Sequence, residues 1–281
     1  GIAWDISGDR GLGRRFTFTH DQAPSGYDGR PGSFSPDGRL VALGLNRQGI
    51  RLWDPTDLTP VGPPLLETGG EVYSLAFAPD GETLAAVTRL GQATLWDVES
   101  RSLLRGPFTV GPGDVLGVSI SADGAILATP GPEDWHGAAN QGAVNLWEVA
   151  SGEALDTIAP GVPAGDVAFS PAGSTLAFVH EGGGTAEVWD VARRSRITRL
   201  PVRSDSRFYY AIAFSPDGRT LATGGLEDPI LRVWDVPTGK LIRELDQGSA
   251  GTKTLDFSPD GRTLAAGGYA PVASLWDLAT G

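Results

Sequence analysis

The sequence predicts an all-β protein in which six copies of one four-stranded sheet pack radially about a common axis. Three observations carry this. Segments beginning at Phe34, Phe77, Ile120, Phe169, Phe214 and Phe257 repeat the pattern of FSPDGRTLATGGLEDPILRVWD, residues 214–235. Each copy closes on a tryptophan followed by an acid: Trp53-Asp54, Trp96-Asp97, Trp147-Glu148, Trp189-Asp190, Trp234-Asp235 and Trp276-Asp277. The turn glycines Gly38, Gly81, Gly124, Gly173, Gly218 and Gly261 are spaced by 43, 43, 49, 45 and 43 residues, a length that suits a four-stranded unit.

The copy around residue 214 can be taken strand by strand. Tyr210 to Ser215 is a short apolar strand whose alternation puts Ile212 and Phe214 on one face. Pro216-Asp217-Gly218 is turn chemistry: proline presets φ, aspartate bonds nearby backbone and glycine tolerates positive φ. Thr220 to Thr223 is a second strand, Gly224 to Pro229 a loop, and Ile230 to Trp234 a third strand. After Pro237-Thr238-Gly239, Lys240 to Leu245 makes the fourth. No segment carries a 3.6-residue apolar period. A lone four-stranded sheet cannot cover both of its faces, whereas radial packing buries both against neighbours and leaves only short edges.

Composition narrows the function. Forty glycines and 21 prolines fall at fixed offsets, where they punctuate strands. A formal charge of −12 opposes nucleic-acid binding, which needs basic side chains to displace counterions from phosphates. No run of 18 apolar residues and no signal-peptide pattern occurs, so no membrane association is expected. The absence of cysteine excludes disulfides, a thiolate nucleophile and sulfur-ligated metal, and it fits a reducing, cytoplasmic location. Arginine supplies 20 of the 22 basic residues, as a high-GC bacterial genome would give. The chain holds no methionine and begins within a strand-like segment, so it is expected to be a piece of a longer protein.

The six Asp-Gly-type turns and the seven tryptophan–acid endings, counting the isolated Trp4-Asp5, resemble those of WD-repeat β-propellers across nearly the whole chain. The resemblance implies a single propeller domain over residues 1–281. Its repeats run over approximately 7–54, 55–97, 98–148, 149–190, 191–235 and 236–277, with 1–6 as the last strand of a truncated repeat. The chain departs from the family pattern in a specific way. The Gly-His dipeptide before the first strand is missing, the equivalent stretches reading TGGEVYS, GPGDVLG and SDSRFYY. The aspartate of the second-to-third-strand turn is also mostly replaced, as in NRQG, RLGQ and YAPV. The family's buried polar network is therefore not carried over, and apolar packing around the tryptophans is expected to hold the blades.

Two blade counts follow from the opening segment. Arg14 to Thr19 could pair beside Ala273 to Trp276 and close a ring of six. Alternatively, Gly1 to Ile6 is the third strand of a further blade, giving seven in the intact protein. The second is favoured because it accounts for every residue.

No catalytic constellation emerges. His20, His136 and His180 share no ligand spacing and are expected in loops, so no metal or other cofactor is predicted. Gly11-Leu12-Gly13 and Gly182-Gly183-Gly184 precede no helix that could hold phosphate, and no GxSxG elbow appears. Asp37, Asp80, Asp123, Asp217 and Asp260 recur with the turns and belong to them.

A binding site should break the repeat, and three places do. The loop Pro130 to Gly142 stretches the turn-glycine-to-tryptophan interval to 23 residues, against 15 or 16 in the other copies, and it carries Trp135 and His136. The segment RSDSRFYY contains Arg203, Arg207, Tyr209 and Tyr210, and the opening connection displays Tyr27 and Arg30. Tryptophan offers contact area at little entropic cost, although Trp135 could equally pin its own loop. All three places are second-to-third-strand or fourth-to-first-strand connections, which emerge on one face of the disc; the Asp-Gly turns occupy the other.

The expectation is a non-catalytic scaffold or sensor that recognises a protein, peptide or ligand through this face. The resemblance implies a bacterial signalling protein with an attached signalling domain. A hydrolase or dehydrogenase with its site at the channel mouth is the alternative.

Overall fold

Each copy of the repeat folds into its own antiparallel sheet. The structure, a computed structural model, describes residues 2–3, 14–15 and 32–281 apart from 46–48, 58, 67, 112–114, 132–143, 160–163, 181–183, 203–209, 226–227, 249–250 and 269–272. Among the described residues there is no α-helix.

A short pair, β1 (Ile2–Ala3) with β2 (Arg14–Arg15), precedes six blades. The first comprises β3 (Gly32–Phe34), β4 (Val41–Leu45), β5 (Gly49–Asp54) and β6 (Thr59–Pro60). The second comprises β7 (Val72–Phe77), β8 (Thr83–Thr88), β9 (Gln92–Asp97) and β10 (Leu103–Thr109). The third comprises β11 (Ser119–Ile120), β12 (Ile126–Pro130), β13 (Val144–Glu148) and β14 (Ala154–Ile158). The fourth comprises β15 (Ala164–Phe169), β16 (Thr175–His180), β17 (Ala186–Asp190) and β18 (Ser195–Leu200). The fifth comprises β19 (Tyr210–Phe214), β20 (Thr220–Gly225), β21 (Ile230–Asp235) and β22 (Lys240–Asp246). The sixth comprises β23 (Thr254–Phe257), β24 (Thr263–Gly267) and β25 (Ala273–Asp277).

Every sheet is a simple meander, and the first strands of successive blades lie against one another. The blades thus follow one another round a ring with first strands innermost, which is a six-bladed propeller. Arg14–Arg15 pairs with Ile2–Ala3, and the rest of the segment expected to close a six-bladed ring, residues 16–19, lies outside the described residues.

The burial pattern explains why the sequence takes this form. Second strands such as Thr83–Thr88 and Thr220–Gly225 are buried along almost their whole length, because sheets cover them on both sides. Fourth strands such as Ser195–Leu200 are largely exposed and rich in charge, as suits an outer edge. One apolar residue in each second strand sits opposite the repeat tryptophan: Val41 with Trp53, Leu84 with Trp96, Leu127 with Trp147, Leu176 with Trp189, Leu221 with Trp234 and Leu264 with Trp276. All six are buried, and each contributes roughly 1.5–3 kcal/mol.

The Asp-Gly turns are held by one recurrent device. Ser215 Oγ donates to Asp217 Oδ1 at 2.7 Å, and Asp217 accepts the Arg219 amide at 3.0 Å. The Thr220 amide returns to Ser215 Oγ at 3.0 Å. The turns at Ser35, Ser121 and Ser258 repeat it. Bonding first to serine and then to a backbone amide lowers the pKa of Asp37, Asp123, Asp217 and Asp260. The fourth blade has Ala172 in place of the acid, and there Gly173 takes φ +152° where the other turn glycines lie between +68° and +75°.

These turns also touch from blade to blade. A Cβ on Gly218 would lie 2.3 Å from Ser170 Oγ and 3.0 Å from Ala172 Cβ of the preceding turn. Gly81 abuts Pro36, and Gly261 abuts Pro216, in the same sense.

The acid after each tryptophan is a turn residue as well. Asp97 accepts from Ser100 N and Oγ, Asp235 from Thr238 N, and Asp277 from the amides of Ala279 and Thr280.

Candidate functional site

Of the residues expected to form a site, Tyr27, Arg30, Trp135, His136, Arg203, Arg207 and Tyr209 lie outside the described residues. Tyr210 opens β19, paired with Gly225 of β20, so its backbone belongs to the innermost strand of the fifth blade. His20 likewise lies outside. His180 does not stand in a loop as expected: it ends β16 and is buried, because the second strand runs one residue past its last apolar residue, Val179.

On the face opposite the Asp-Gly turns, the second blade forms a cavity of about 370 Å³ lined by Leu66, Thr68, Gly70, Glu71, Arg89 and Leu90. Two connections build it. Arg89-Leu90-Gly91 joins β8 to β9, and Gly91 at φ +67° lets its amide bond the Thr88 carbonyl at 3.0 Å. The other connection leads from the first blade into β7. There Thr68 Oγ1 donates to the Gly70 carbonyl at 2.9 Å, and Gly69 and Gly70 take φ of +73° and +153°. The Arg89 amide donates to the Glu71 carbonyl at 2.9 Å and fastens the two connections together.

The outcome is a small cleft with apolar walls. Leu66 and Leu90 are each 64 % exposed, among the largest apolar exposures of the molecule. Glu71 and Arg89 bring opposite charges to the same rim. Such a cleft can take one apolar side chain and orient the polar groups beside it.

The sequence reading passed over this cleft. Leu90 was the available signal: an apolar residue at the tip of a tight turn, where polar residues are usual.

The fourth blade holds a buried polar cluster near the same face. Trp189 Nε1 donates to Glu187 Oε2 at 2.8 Å, and Arg196 donates to Glu187 Oε1 at 3.0 Å. Arg199 approaches that oxygen at 3.5 Å. His180 Nε2 lies 3.5 Å from it too, its ring stacked on Phe178 at 5.4 Å between centroids. Burial depresses the His180 pKa first of all; Glu187 opposes this, and Arg199 and Arg196 assist it. The cluster shares one buried carboxylate among these partners.

Part of the buried polar network that was not expected to carry over is nevertheless present at the tryptophans. Trp147 Nε1 donates to Thr129 and Trp234 Nε1 to Thr223, each at 3.0 Å, with the hydroxyl on the neighbouring second strand. Trp96 uses Thr94 on its own strand at 3.1 Å. A buried indole N–H without an acceptor is costly, so the hydroxyl partner persists where the histidine and aspartate of the family pattern have gone.

Towards the axis, Asp166 on β15 accepts the Val167 amide at 2.8 Å and the Ile212 amide of the next blade at 3.3 Å. Burial raises its pKa to about 7. Asp256 on β23 is pushed up to about 6 by the same cause. Ser119 Oγ ties β11 to the Phe169 amide at 2.9 Å in the manner of Asp166. Asp166 and Ser119 thus bind adjacent blades together. Among the described residues no cluster of three or more histidines or acids could hold a metal ion. Nor, among them, is any helix long and apolar enough to cross a membrane.

Radial meander sheets with first strands innermost define the β-propeller class. Within it, residues 63–97, 202–235 and 239–277 match the family model described as WD domain, G-beta repeat. These segments fall on the second, fifth and sixth blades, so the chain is a β-propeller in which three stretches match WD repeats. No curated protein matches the chain. Propellers of this family commonly serve as protein-interaction scaffolds.

Proposed function

We propose that the protein is a non-catalytic scaffold or sensor module that captures a protein or peptide on the face bearing the second-to-third-strand turns. The observation that carries this reading is the cleft of the second blade, where Leu66 and Leu90 stand exposed beside Glu71 and Arg89. Exposed apolar groups fixed on a rigid sheet and flanked by charge suit a peptide anchored by one apolar side chain. Trp135, His136, Arg203, Arg207, Tyr209, Tyr210, Tyr27 and Arg30 belong to connections or strand starts of the same face by chain order, and we assign them to the surrounding contact surface. Attachment to a bacterial cytoplasmic signalling protein is part of this reading, supported by the composition and the resemblance.

The test is to select peptides from a random library against the protein and measure their affinity for L66D/L90D. Both positions are exposed, so folding should be unaffected. A loss of at least about tenfold is expected. Equal binding by a folded variant would remove the cleft from the reading, and the same peptides against W135A/R207A would then test the remainder of the face.

A further inference from the structure

The outer edge of the fourth blade carries four arginines in seven residues, RRSRITR from 193 to 199. Glu187 is buried on β17 directly opposite Arg199 of β18, and Trp189 is opposite Arg196. Paired residues share a face of a sheet, as do residues two apart along a strand, so all four stand on one side. That side looks towards the third blade. Trp189 packs in one cluster with Leu146 and Ile158 of that blade, and Arg194 crosses to Asp156 of β14 at 3.0 Å.

The arrangement leaves positive charge over. Arg193 is paired with Asp190 and Arg194 with Asp156, but Arg196 and Arg199 share the single carboxylate of Glu187, reaching the same Oε1 at 3.0 and 3.5 Å. Each guanidinium carries five N–H donors in a planar fork. Arg196 makes one hydrogen bond to Glu187, and Arg199 stands too far for a good one. The two side chains are 48 % and 57 % exposed, so their remaining donors meet water side by side. Trp189 Nε1 fixes the carboxylate from within at 2.8 Å. The pair of arginines is thus held in place beforehand, which lowers the ordering cost of binding.

The fifth blade shows the opposite polarity. There Arg232 occupies the position of Glu187, buried, with Glu244 opposite it on β22 and half exposed.

We propose that the outer edge of the fourth blade is a binding site for an acidic peptide segment, one of whose side-chain carboxylates bridges Arg196 and Arg199 from the solvent side. Planar guanidinium forks match carboxylate geometry. Charge complementarity selects the ligand: Ser195–Leu200 holds two arginines and no acid in a chain of formal charge −12. The strand favours a peptide, because β18 is the last of its sheet and its outer edge can pair with an extended backbone.

The test uses the whole chain and a fluorescein-labelled peptide of alternating glutamate and serine, whose carboxylates share one side when extended. By fluorescence anisotropy, R196Q/R199Q is expected to bind at least about tenfold more weakly than the parent. R39Q/R262Q, which removes equal charge from exposed turns, should bind as the parent does. Because losing both arginines can unsettle Glu187, R199Q is measured alone. Its melt should match the parent, with a loss of about threefold. No binding by the parent, undiminished binding by folded R199Q, or an equal loss in R39Q/R262Q overturns the proposal.

A benzophenone on the peptide should attach within residues 154–158 or 193–200, and attachment elsewhere also overturns it. So would an oligouridylate of equal charge that binds more tightly and loses affinity in R196Q/R199Q, since the ligand would then be nucleic acid. The site shares no residue with the cleft of the second blade, and L66D/L90D should leave this binding unchanged. Failure of either reading therefore leaves the other standing.

Discussion

The indole N–H of Trp234 donates to Oγ1 of Thr223 at 3.0 Å, joining the third and second strands of the fifth blade inside the core. Both side chains are buried, so neither group has water as a substitute. Replacing threonine with isosteric valine leaves the N–H without its acceptor. T223V is expected to lose about 1–3 kcal/mol of stability in urea unfolding. In a W234F background the same substitution should cost far less, and an undiminished cost would show that the hydroxyl acts otherwise.

Glu187 gathers Trp189, Arg196, Arg199 and His180 around one buried carboxylate. E187A strands the indole N–H and removes the countercharge of the arginines. The arginines are about half exposed and can turn to water, so the cost is mainly that of the stranded indole N–H, about 1–3 kcal/mol. E187Q keeps an oxygen for the indole and should fall between E187A and the parent. Thermal melts of the three proteins give the order directly.

Asp166 holds its proton up to a pH of about 7 in the folded chain, against a usual value of 3.8. Between these values the folded state binds more protons than the unfolded state. Its contribution to stability therefore falls as pH rises from about 4 to 7 and is level above that. D166N retains an acceptor for the amides of Val167 and Ile212 without the titration. Relative to the parent, it should gain stability from about pH 4.5 to pH 7 and then level off. A constant difference in melting temperature over that range would contradict the assignment.

The turn aspartates act in the opposite direction. Asp217 is held below its usual pKa by Ser215 and the Arg219 amide, so its contribution is present above about pH 4 and lost as pH falls through the depressed value. D217A should cost about 1 kcal/mol near neutrality, and the difference should close in acid. The reciprocal change A172D, in the fourth blade, should bring Gly173 towards the geometry of the other turn glycines and raise stability slightly. Chemical denaturation at two pH values checks both.

Much of the architecture was legible because it recurs. A turn glycine between first and second strands and a Trp-acid ending appear in all six blades, four of the turns reading Pro-Asp-Gly, and the strands of the fifth blade fall within a residue or two of where alternation and turn chemistry put them. What repetition could not reveal is any contact made once. The Glu187 cluster depends on a histidine and a glutamate seven residues apart meeting across a strand pair, which periodicity does not encode. The cleft depends on Leu66 and Leu90, from two connections brought together by the Arg89–Glu71 backbone bond. The tryptophan–threonine bonds were missed for another reason: loss of two members of a familiar network was taken as loss of all, although the indole still needs an acceptor.

The interlocking of Gly218 with Ser170 and Ala172, and of its counterparts round the ring, leaves the two sides of the disc unequal for engineering. Sequence grafted between the first and second strands of a blade must be threaded past the turn of its neighbour. The opposite rim already accommodates connections as different as the tight turn Arg89-Leu90-Gly91 and the stretch through Thr68, Gly69 and Gly70 that leads into β7. Foreign recognition segments should therefore be tolerated there in several blades at once, making one side an anvil and the other a display surface.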